Sequence, residues 1–505
     1  MSHPFFPWRR RHVGASVLCA ALGASLSLPP AVHAQPVGLP SMGAASSSEL
    51  SPMLERRLGE AIMVQGRRDP TYIDDPDLRQ YLTNMGRKLA AFAPGGGMPD
   101  VEIFGVRDQG INAFALPGGF IGVNSGLVVS SGSESELASV LAHELGHVAQ
   151  RHIARGLTQQ SQTGAIMMAT LAASLLAALA GGGGDLAGGM AAFGQAAALN
   201  RQLGFSRDAE READRAGFDM LRKAGYDPHG MVEMFNRLMN VSRLNEGAGG
   251  GDYASTHPLS IARMSDIQNR LRLLPPVNHV DSDDFWYVRA RLRLQQASDA
   301  QGTRATVEQL RAETRTLSGV RQSAAWYGLA LAAMRRGDLA EAREDYANAT
   351  SGGRESPQLA ALGVDLARAA KDTAGAVQQA QAAWKRWPER RALAYAVAES
   401  LQRAGRDADA AAFLRERVKQ WSDEEPRLYE LLAQSEERMG DKIAARRDMA
   451  DFYVKTGALP SAVSQLQQAR SLSTDFYEQS QLDVRIQEVK DRMADERELL
   501  ERFRS

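Results

Sequence analysis

Ala142-His-Glu-Leu-Gly-His147 contains an HExxH motif, and the surrounding residues 136–152 alternate apolar and polar side chains at helical period. Residues four apart on a helix lie about 40° apart around its axis. His143 and His147 can therefore present two imidazoles to one metal ion, and Glu144 can take a proton from a metal-bound water. Zinc lowers the pKa of such a water to about 7. The motif predicts a zinc-dependent peptidase with Glu144 as general base.

A zinc site of this kind needs a third protein ligand. In the metzincin pattern a glycine and a histidine follow the second motif histidine, but those places hold Gln150 and Ile153, which excludes that class. On a helical wheel His152 lies about 180° from His143, which predicts that it points away from the metal as a surface or packing residue. The third ligand is therefore expected from another part of the chain.

A second predicted helix, starting near Ser206, offers that ligand. Glu210 and Asp214 form an ExxxD pair on one of its faces. Glu210 would complete the metal sphere, and Asp214 could accept a hydrogen bond from the free ring nitrogen of a ligating histidine. Glu212 is the fallback ligand, although its side chain points about 200° away from that of Glu210. Taken alone, such a helix is most often a solvated face with local ion pairs.

Four separated segments carry a resemblance to a known family. They are HELGHVAQRH (143–152), SRDAEREAD (206–214), NAFALPGGFIGVNSGL (112–127) and THPLSIAR (256–263). In order and spacing they resemble the gluzincin peptidases of the CAAX prenyl protease and HtpX-like family, and within it the periplasmic β-barrel assembly-enhancing protease branch. The match covers roughly residues 50–275.

The resemblance implies a ligand set and a base. It assigns His143, His147 and Glu210 as ligands of one Zn²⁺ per chain, with Glu144 as the base. In soluble members of the branch a histidine at the place of His257 can approach the metal and hold the enzyme in a resting state.

His257 precedes a proline, which favours extended backbone in a loop. The resemblance, and not this backbone preference, implies that His257 is a regulatory fourth ligand. A role in the transition state for His257 or Arg263 is an alternative, and an ordinary loop histidine is another.

The same resemblance implies a substrate-binding strand. Residues 112–123 would form an edge strand, beginning with Asn112, Ala113 and Phe114, along which an extended substrate adds its backbone. Such β-addition reads main-chain groups and suits an enzyme that cuts unfolded chains. A plain core strand followed by a Pro-Gly-Gly turn is the alternative.

The first residues predict export. Three arginines, residues 9–11, precede an apolar run, and Val32-His-Ala34 offers small residues for a signal peptidase, so residues 1–34 are predicted to be a signal peptide and 35–49 a linker. The single cysteine, Cys19, lies within the signal peptide. The formal net charge of −1 offers no electrostatic basis for nucleic-acid binding. We expect a periplasmic protein.

The second half of the chain contains repeats. Short turn sequences close with alanines spaced by 34, 34 and 35 residues; the turns begin at Gly337, Lys371, Gly405 and Gly440. This period is typical of tetratricopeptide repeats. The shorter step to Gly457 predicts one helix shared by two hairpins, and the charged segment 483–504 predicts a solubilising cap.

These observations predict an α+β zincin-type protease domain, mainly helical with a small sheet, over residues 50–275. A linker, 276–284, would lead into an all-α tetratricopeptide solenoid, 285–505. A solenoid offers a concave surface for a partner or client chain. By resemblance, it would bind the outer-membrane β-barrel assembly machinery and components of lipopolysaccharide export, and the clients would be unfolded outer-membrane proteins.

The apolar segment 156–200 resists assignment. It is too short and too alanine-rich to predict a membrane span. It could be a mobile flap over the active site, a hairpin that touches the membrane surface through residues 164–200, or a buried hairpin.

Two functions fit the sequence. One is a periplasmic zinc endopeptidase that cleaves stalled or misfolded outer-membrane proteins. The other is a chaperone or assembly scaffold whose protease site is normally shut.

Overall fold

The computed structural model describes the chain in separate stretches. They are residues 51–98, 100–159, 205–244, 252–275, 277–297, 299–421 and 425–504. The predicted signal peptide (1–34), the predicted linker (35–49) and residues 160–200 of the apolar segment lie outside them. The predictions for those parts of the chain therefore stay predictions.

The described chain is mainly helical, with one small sheet near its start. Up to residue 275 its elements are α1 (Pro52–Gly66), α2 (Pro76–Ala90), β1 (Glu102–Val106), β2 (Ala113–Leu116), β3 (Phe120–Asn124), α3 (Ser125–Ser130), α4 (Glu134–Ala149), α5 (His152–Gln159), α6 (Arg207–Lys223), α7 (His229–Leu244), α8 (Asp252–Thr256) and α9 (Ile261–Leu271). Beyond residue 282 they are α10 (Asp283–Gln296), α11 (Ala300–Thr316), α12 (Gly319–Arg336), α13 (Leu339–Ala349), α14 (Pro357–Ala369), α15 (Thr373–Arg386), α16 (Arg391–Arg403), α17 (Asp407–Gln420), α18 (Arg427–Met439), α19 (Lys442–Lys455), α20 (Leu459–Leu472) and α21 (Phe476–Arg504). This order confirms the predicted fold class. None of the helices within the described stretches has the length and apolar character needed to cross a membrane.

The sheet has the strand order β1-β3-β2, with β1 parallel and β2 antiparallel to β3. A tight turn joins β2 to β3 through Gly118 and Gly119, whose φ angles are 78° and 90°. A Cβ atom on Gly118 would lie 2.5 Å from the Cα atom of Arg56, so both the backbone angle and the space demand glycine. In this strand order β2 is at the edge of the three-stranded sheet.

Both faces of the sheet are covered. Successive strand residues point to opposite faces. Ile103 and Ile121 therefore pack with α2 and α4, whereas Phe104 and Phe120 pack with α1 in a second cluster. The sheet thus holds α4 on one face, with β2 running beside that helix.

The solenoid is built from antiparallel helix pairs. The pairs α12–α13, α14–α15, α16–α17 and α18–α19 meet at the predicted turns, where Gly337, Lys371, Gly405 and Gly440 have φ angles of 78°, 62°, 69° and 87°. In each pair this left-handed residue follows the first helix and reverses the chain into the second. α19 packs against both α18 and α20, which is the shared helix that the short step to Gly457 predicts.

The terminal helix α21 corrects one prediction. Charged residues along it predict a solubilising cap, yet Leu500 is 1% exposed and packs in the same cluster as Leu58 and Ile62 of α1. The end of the chain therefore docks on α1. Its two adjacent leucines, Leu499 and Leu500, outweigh the surrounding charges because burying them removes apolar surface from water.

The solenoid is also attached to α2. Arg79 forms an ion pair with the buried carboxylate of Glu425. The side chain of Gln80 accepts a hydrogen bond from the Arg391 backbone at 3.0 Å and donates one to the Glu389 carbonyl at 2.8 Å. The solenoid thus curls back onto the domain that carries the HExxH motif.

Candidate metal centre

Two capped helices carry the predicted ligands. The hydroxyl of Ser133 accepts a hydrogen bond from the Glu136 N–H at the start of α4, and that of Ser206 accepts one from the Ala209 N–H at the start of α6. Such caps satisfy N–H groups that the first helical turn leaves unpaired. They set where each helix begins.

Small residues bring α4 and α6 into backbone contact. A Cβ atom on Gly146 would lie 2.7 Å from the carbonyl oxygen of Ala213, and one on Gly217 would lie 3.0 Å from that of Ala142. Sequence reasoning overlooked this contact, although Gly146 inside the motif and the Ala213–Gly217 pair four residues apart were visible signals. The close approach places the histidines of α4 directly opposite the acids of α6.

Four buried side chains converge between the helices, namely His143, His147, Glu210 and His257. One ligand atom from each lies within 4.8 Å of all the others. The Nε2 atoms of His143 and His147 are 3.0 Å apart, and each lies 3.5 Å from a carboxylate oxygen of Glu210. A tetrahedral ion with nitrogen and oxygen ligands at about 2.1 Å has donors about 3.4 Å apart. The spacing fits such an ion.

Asp214 and Arg263 surround the outer side of this cluster. The Asp214 carboxylate lies 3.0 Å from Nδ1 of His143. Arg263 donates to both oxygens of Asp214, at 2.7 and 2.8 Å, and its third nitrogen lies 2.5 Å from Glu210. Asp214 thus occupies the position expected of an orienting acceptor, and Arg263 offsets the charge of both acids.

The two motif histidines differ in their electrostatics. Burial lowers the pKa of His143, but hydrogen bonds with Asp214 and Glu210 outweigh it and raise the pKa to about 9. Burial and the neighbouring His143 hold the pKa of His147 well below its usual range.

Glu144 lies on the side of the cluster that faces the sheet. It is 1% exposed, and burial raises the pKa of its carboxyl. Nε2 of His257 is 3.3 Å from the carboxylate, and Ala115 in the edge strand β2 also contacts it through its backbone. The base predicted from the motif therefore stands between the metal ligands and the edge strand.

The strand β2 begins at Ala113, one residue after Asn112. The side chains of Ala113 and Phe114 are buried, and the ring of Phe114 covers Gly122 of β3. Asn112 is 4% exposed, and its side-chain oxygen has no hydrogen-bond partner among the described residues. A buried acceptor without a partner is thus present at the start of the edge strand.

His152 is outside the cluster of candidate ligands, as the sequence predicts, but it does not continue the helix α4. The helix α4 ends at Ala149, Arg151 adopts a left-handed φ of 53°, and His152 starts α5. Its Nδ1 lies 2.9 Å from Nδ1 of His147, on the side away from the ligand cluster. The helical wheel assumed one unbroken helix, so it did not predict that His152 is buried against His147.

Glu212, the fallback ligand, is outside the cluster. Its carboxylate lies 3.0 Å from Nε2 of His152 and 2.8 Å from Arg155.

Two aromatic residues that the sequence did not single out flank His257. The ring of Tyr253 stacks on it at a centroid distance of 4.6 Å, and that of Phe205 at 5.5 Å. Phe205 also packs against His147 at 3.9 Å. Neither lies in a motif, and only the folded chain brings them to the site.

The chain is similar to known peptidases. The model of Peptidase family M48 matches residues 76–271. A Vibrio cholerae protein whose name describes a beta-barrel assembly-enhancing protease is 37% identical over 57% of this chain and 57% of its own length. The Beta-barrel assembly-enhancing protease of Escherichia coli is 29% identical over 92% of each chain. The Mitochondrial metalloendopeptidase OMA1 of Arabidopsis thaliana is 31% identical over 43% of this chain and 41% of its own. Residues 76–271 therefore match Peptidase family M48, and along most of its length the chain is similar to the beta-barrel assembly-enhancing proteases.

Proposed function

We propose that this chain is a periplasmic zinc endopeptidase that acts in the quality control and assembly of outer-membrane proteins by cleaving misfolded or stalled clients. The observation that carries the proposal is the convergence of His143, His147 and Glu210, with Glu144 beside them and an edge strand next to Glu144. The names of the relatives support the choice of outer-membrane clients.

The donor set supports zinc as the metal. Imidazole nitrogens and one carboxylate at tetrahedral spacing are ligands that zinc prefers in peptidases. When bound, zinc supplies a Lewis acid and a water of lowered pKa. Glu144 takes a proton from the attacking water and returns it to the leaving amine. Asp214 holds the ring of His143 through its outer nitrogen.

The edge strand supports an extended substrate. β2 is at the edge of the described sheet and Ala115 lies next to Glu144, so an extended substrate added along β2 would lie beside the base. The unpaired side-chain oxygen of Asn112 can accept a substrate N–H at the start of that strand. Recognition of this kind selects unfolded segments rather than one sequence.

A second function, an assembly chaperone with a normally latent protease, is favoured by the position of His257. Its ring lies 3.0 Å from Glu210 and 3.3 Å from Glu144, so it occupies the space in front of the base. Two stacked aromatic rings hold it there. In that state the solenoid would bind partners or clients while His257 blocks the protease site.

The solenoid supports the proposed partners. We propose that it binds the outer-membrane β-barrel assembly machinery and components of lipopolysaccharide export, because stacked helix pairs offer an extended surface for another protein. We also propose contact with a membrane surface through residues 164–200, and we propose no binding to nucleic acid.

The proposal is tested by zinc content and casein cleavage of the purified protein. We expect bound zinc in the wild type and in Glu144→Gln, loss of zinc in Glu210→Ala, and loss of cleavage in both variants. Asp219→Ala is the matched control, because Asp219 is exposed on the same helix. Full zinc occupancy in Glu210→Ala would refute the ligand set. Normal assembly of outer-membrane proteins with Glu144→Gln would favour the chaperone.

A further inference from the structure

The Nδ1 atom of His147, on the side of the ring away from the ligand cluster, lies next to a second histidine, His152. If His147 binds a metal through Nε2, the atom that faces His143 and Glu210, its ring is neutral and its proton is on Nδ1. The atom 2.9 Å from that Nδ1 is Nδ1 of His152, whose side chain is 1% exposed. A buried N–H needs an acceptor. His152 must therefore present Nδ1 without a proton.

The contact of the other ring nitrogen of His152, Nε2, agrees with this tautomer. With Nδ1 as acceptor, a neutral ring carries its proton on Nε2. That nitrogen lies 3.0 Å from Glu212, whose carboxylate only accepts, and Arg155 donates to the same oxygen at 2.8 Å. One direction of donation satisfies every group: His147 to His152, and His152 to Glu212. The opposite tautomer would place two N–H groups against each other.

Local backbone geometry places His152 there. Arg151 has a left-handed φ of 53°, which costs roughly 1 kcal/mol for a residue other than glycine. Its guanidinium pairs with Glu55 of α1 at 2.9 Å. The residue after His152, Ile153, packs in the cluster formed with α1. These contacts with α1 turn the chain back, so that His152 lies behind His147.

The geometry points to His152 as a positioning residue for the metal site: it accepts the Nδ1 proton of His147, fixes that ring's tautomer and orientation, and is itself held by Glu212. This inference rests on the proposed role of His147 as a ligand. It makes the two motif histidines unequal, because a carboxylate orients His143 and a neutral imidazole orients His147.

The test is zinc affinity, measured by competition with a chelator. We expect His152→Leu, which removes the acceptor but keeps most of the volume, to weaken zinc binding about 10- to 100-fold. His152→Asn can place its side-chain oxygen near the position of Nδ1 and should recover most of the affinity. His229→Leu is the matched control, because His229 is exposed and is not part of the ligand cluster.

Each outcome separates this inference from the proposed function. Zinc-free wild type would refute the proposed function itself. Wild-type affinity in His152→Leu, with zinc bound to the wild type, would overturn only the role of His152. Equal weakening in His152→Leu and His152→Asn would overturn it too, because packing alone would then explain the loss.

A second measurement needs no variant. In zinc-loaded protein labelled with ¹⁵N-histidine, nuclear magnetic resonance should show Nδ1 of His147 protonated and Nδ1 of His152 unprotonated. A protonated Nδ1 on His152 would overturn the inference.

Discussion

At the scale of single residues, His257 has more contacts than a loop histidine requires. It touches Glu210, His143 and Glu144 within 3.3 Å, and two aromatic rings stack on it. A side chain held in this way competes with a substrate for the space beside the base. The sequence could suggest this only through a resemblance, because a sequence separation of 114 leaves the distance between His143 and His257 undetermined.

We expect His257→Ala to raise casein cleavage several-fold, because it frees Glu144 and one position of the metal sphere. Initial cleavage rates at equal zinc content would measure the effect. His229→Ala should leave the rate unchanged. Equal or lower cleavage by His257→Ala would refute the resting-state role and favour a role in the transition state.

At the scale of elements, the crossing of α4 and α6 decides whether the ligands meet. Helical periodicity predicted each helix and the face that carries its acids or histidines. The distance between them depends on Gly146 and Gly217, where any side chain would meet the backbone of the other helix.

We expect Gly146→Ala to destabilise the fold by about 1–3 kcal/mol, because its methyl group would force the helices apart. The same displacement should weaken zinc binding. Thermal unfolding and zinc content measure the two effects. Gly302→Ala is the control, since a Cβ atom there meets first the end of the flexible Asp299 side chain at 3.2 Å. Unchanged zinc content in Gly146→Ala would show that the crossing tolerates a methyl group.

The repeat turns allow a second test at this scale. Lys371 is the one predicted turn residue of the four that is not glycine, although its φ of 62° lies in the left-handed region. We expect Lys371→Gly to stabilise the protein by about 0.5–1 kcal/mol. Removing the strain of a left-handed lysine gains more free energy than the extra conformational entropy of glycine costs on folding. Chemical denaturation measures it.

Gly405 provides the matched reverse change. Its φ is 69° and no atom lies within 4 Å of a Cβ atom built there, so Gly405→Lys should cost a similar amount through backbone conformation alone. A loss of stability in Lys371→Gly would mean that contacts of the lysine outweigh its backbone strain.

At the scale of the whole molecule, α21 closes the solenoid onto α1. The 29-residue helix is charged along most of its length, and only its end is inserted between apolar residues of the protease domain. Docking at both α2 and α1 holds the two halves of the described chain in one arrangement.

We expect Leu500→Ala to destabilise this docking by about 2–4 kcal/mol, because a buried leucine would be replaced by a cavity. Hydrogen exchange in α1 and α21 should increase more than in α4. Val484→Ala, at a position 60% exposed in the same helix, is the control and should change neither. Unchanged exchange in Leu500→Ala would refute the docking role of the terminal helix.

The sequence by itself determined the features that depend on neighbours along the chain: HExxH and ExxxD on helical faces, the repeat period, and a strand before the motif. Their spacing is set by 3.6 residues per turn and by the repeat length, so local reading suffices. Only the tertiary structure decided that His152 lies behind His147, that His257 faces Glu144, and that Leu500 is buried. Each of these depends on packing between distant segments, such as the pairing of Arg151 with Glu55. A periodic pattern along the chain cannot predict such contacts.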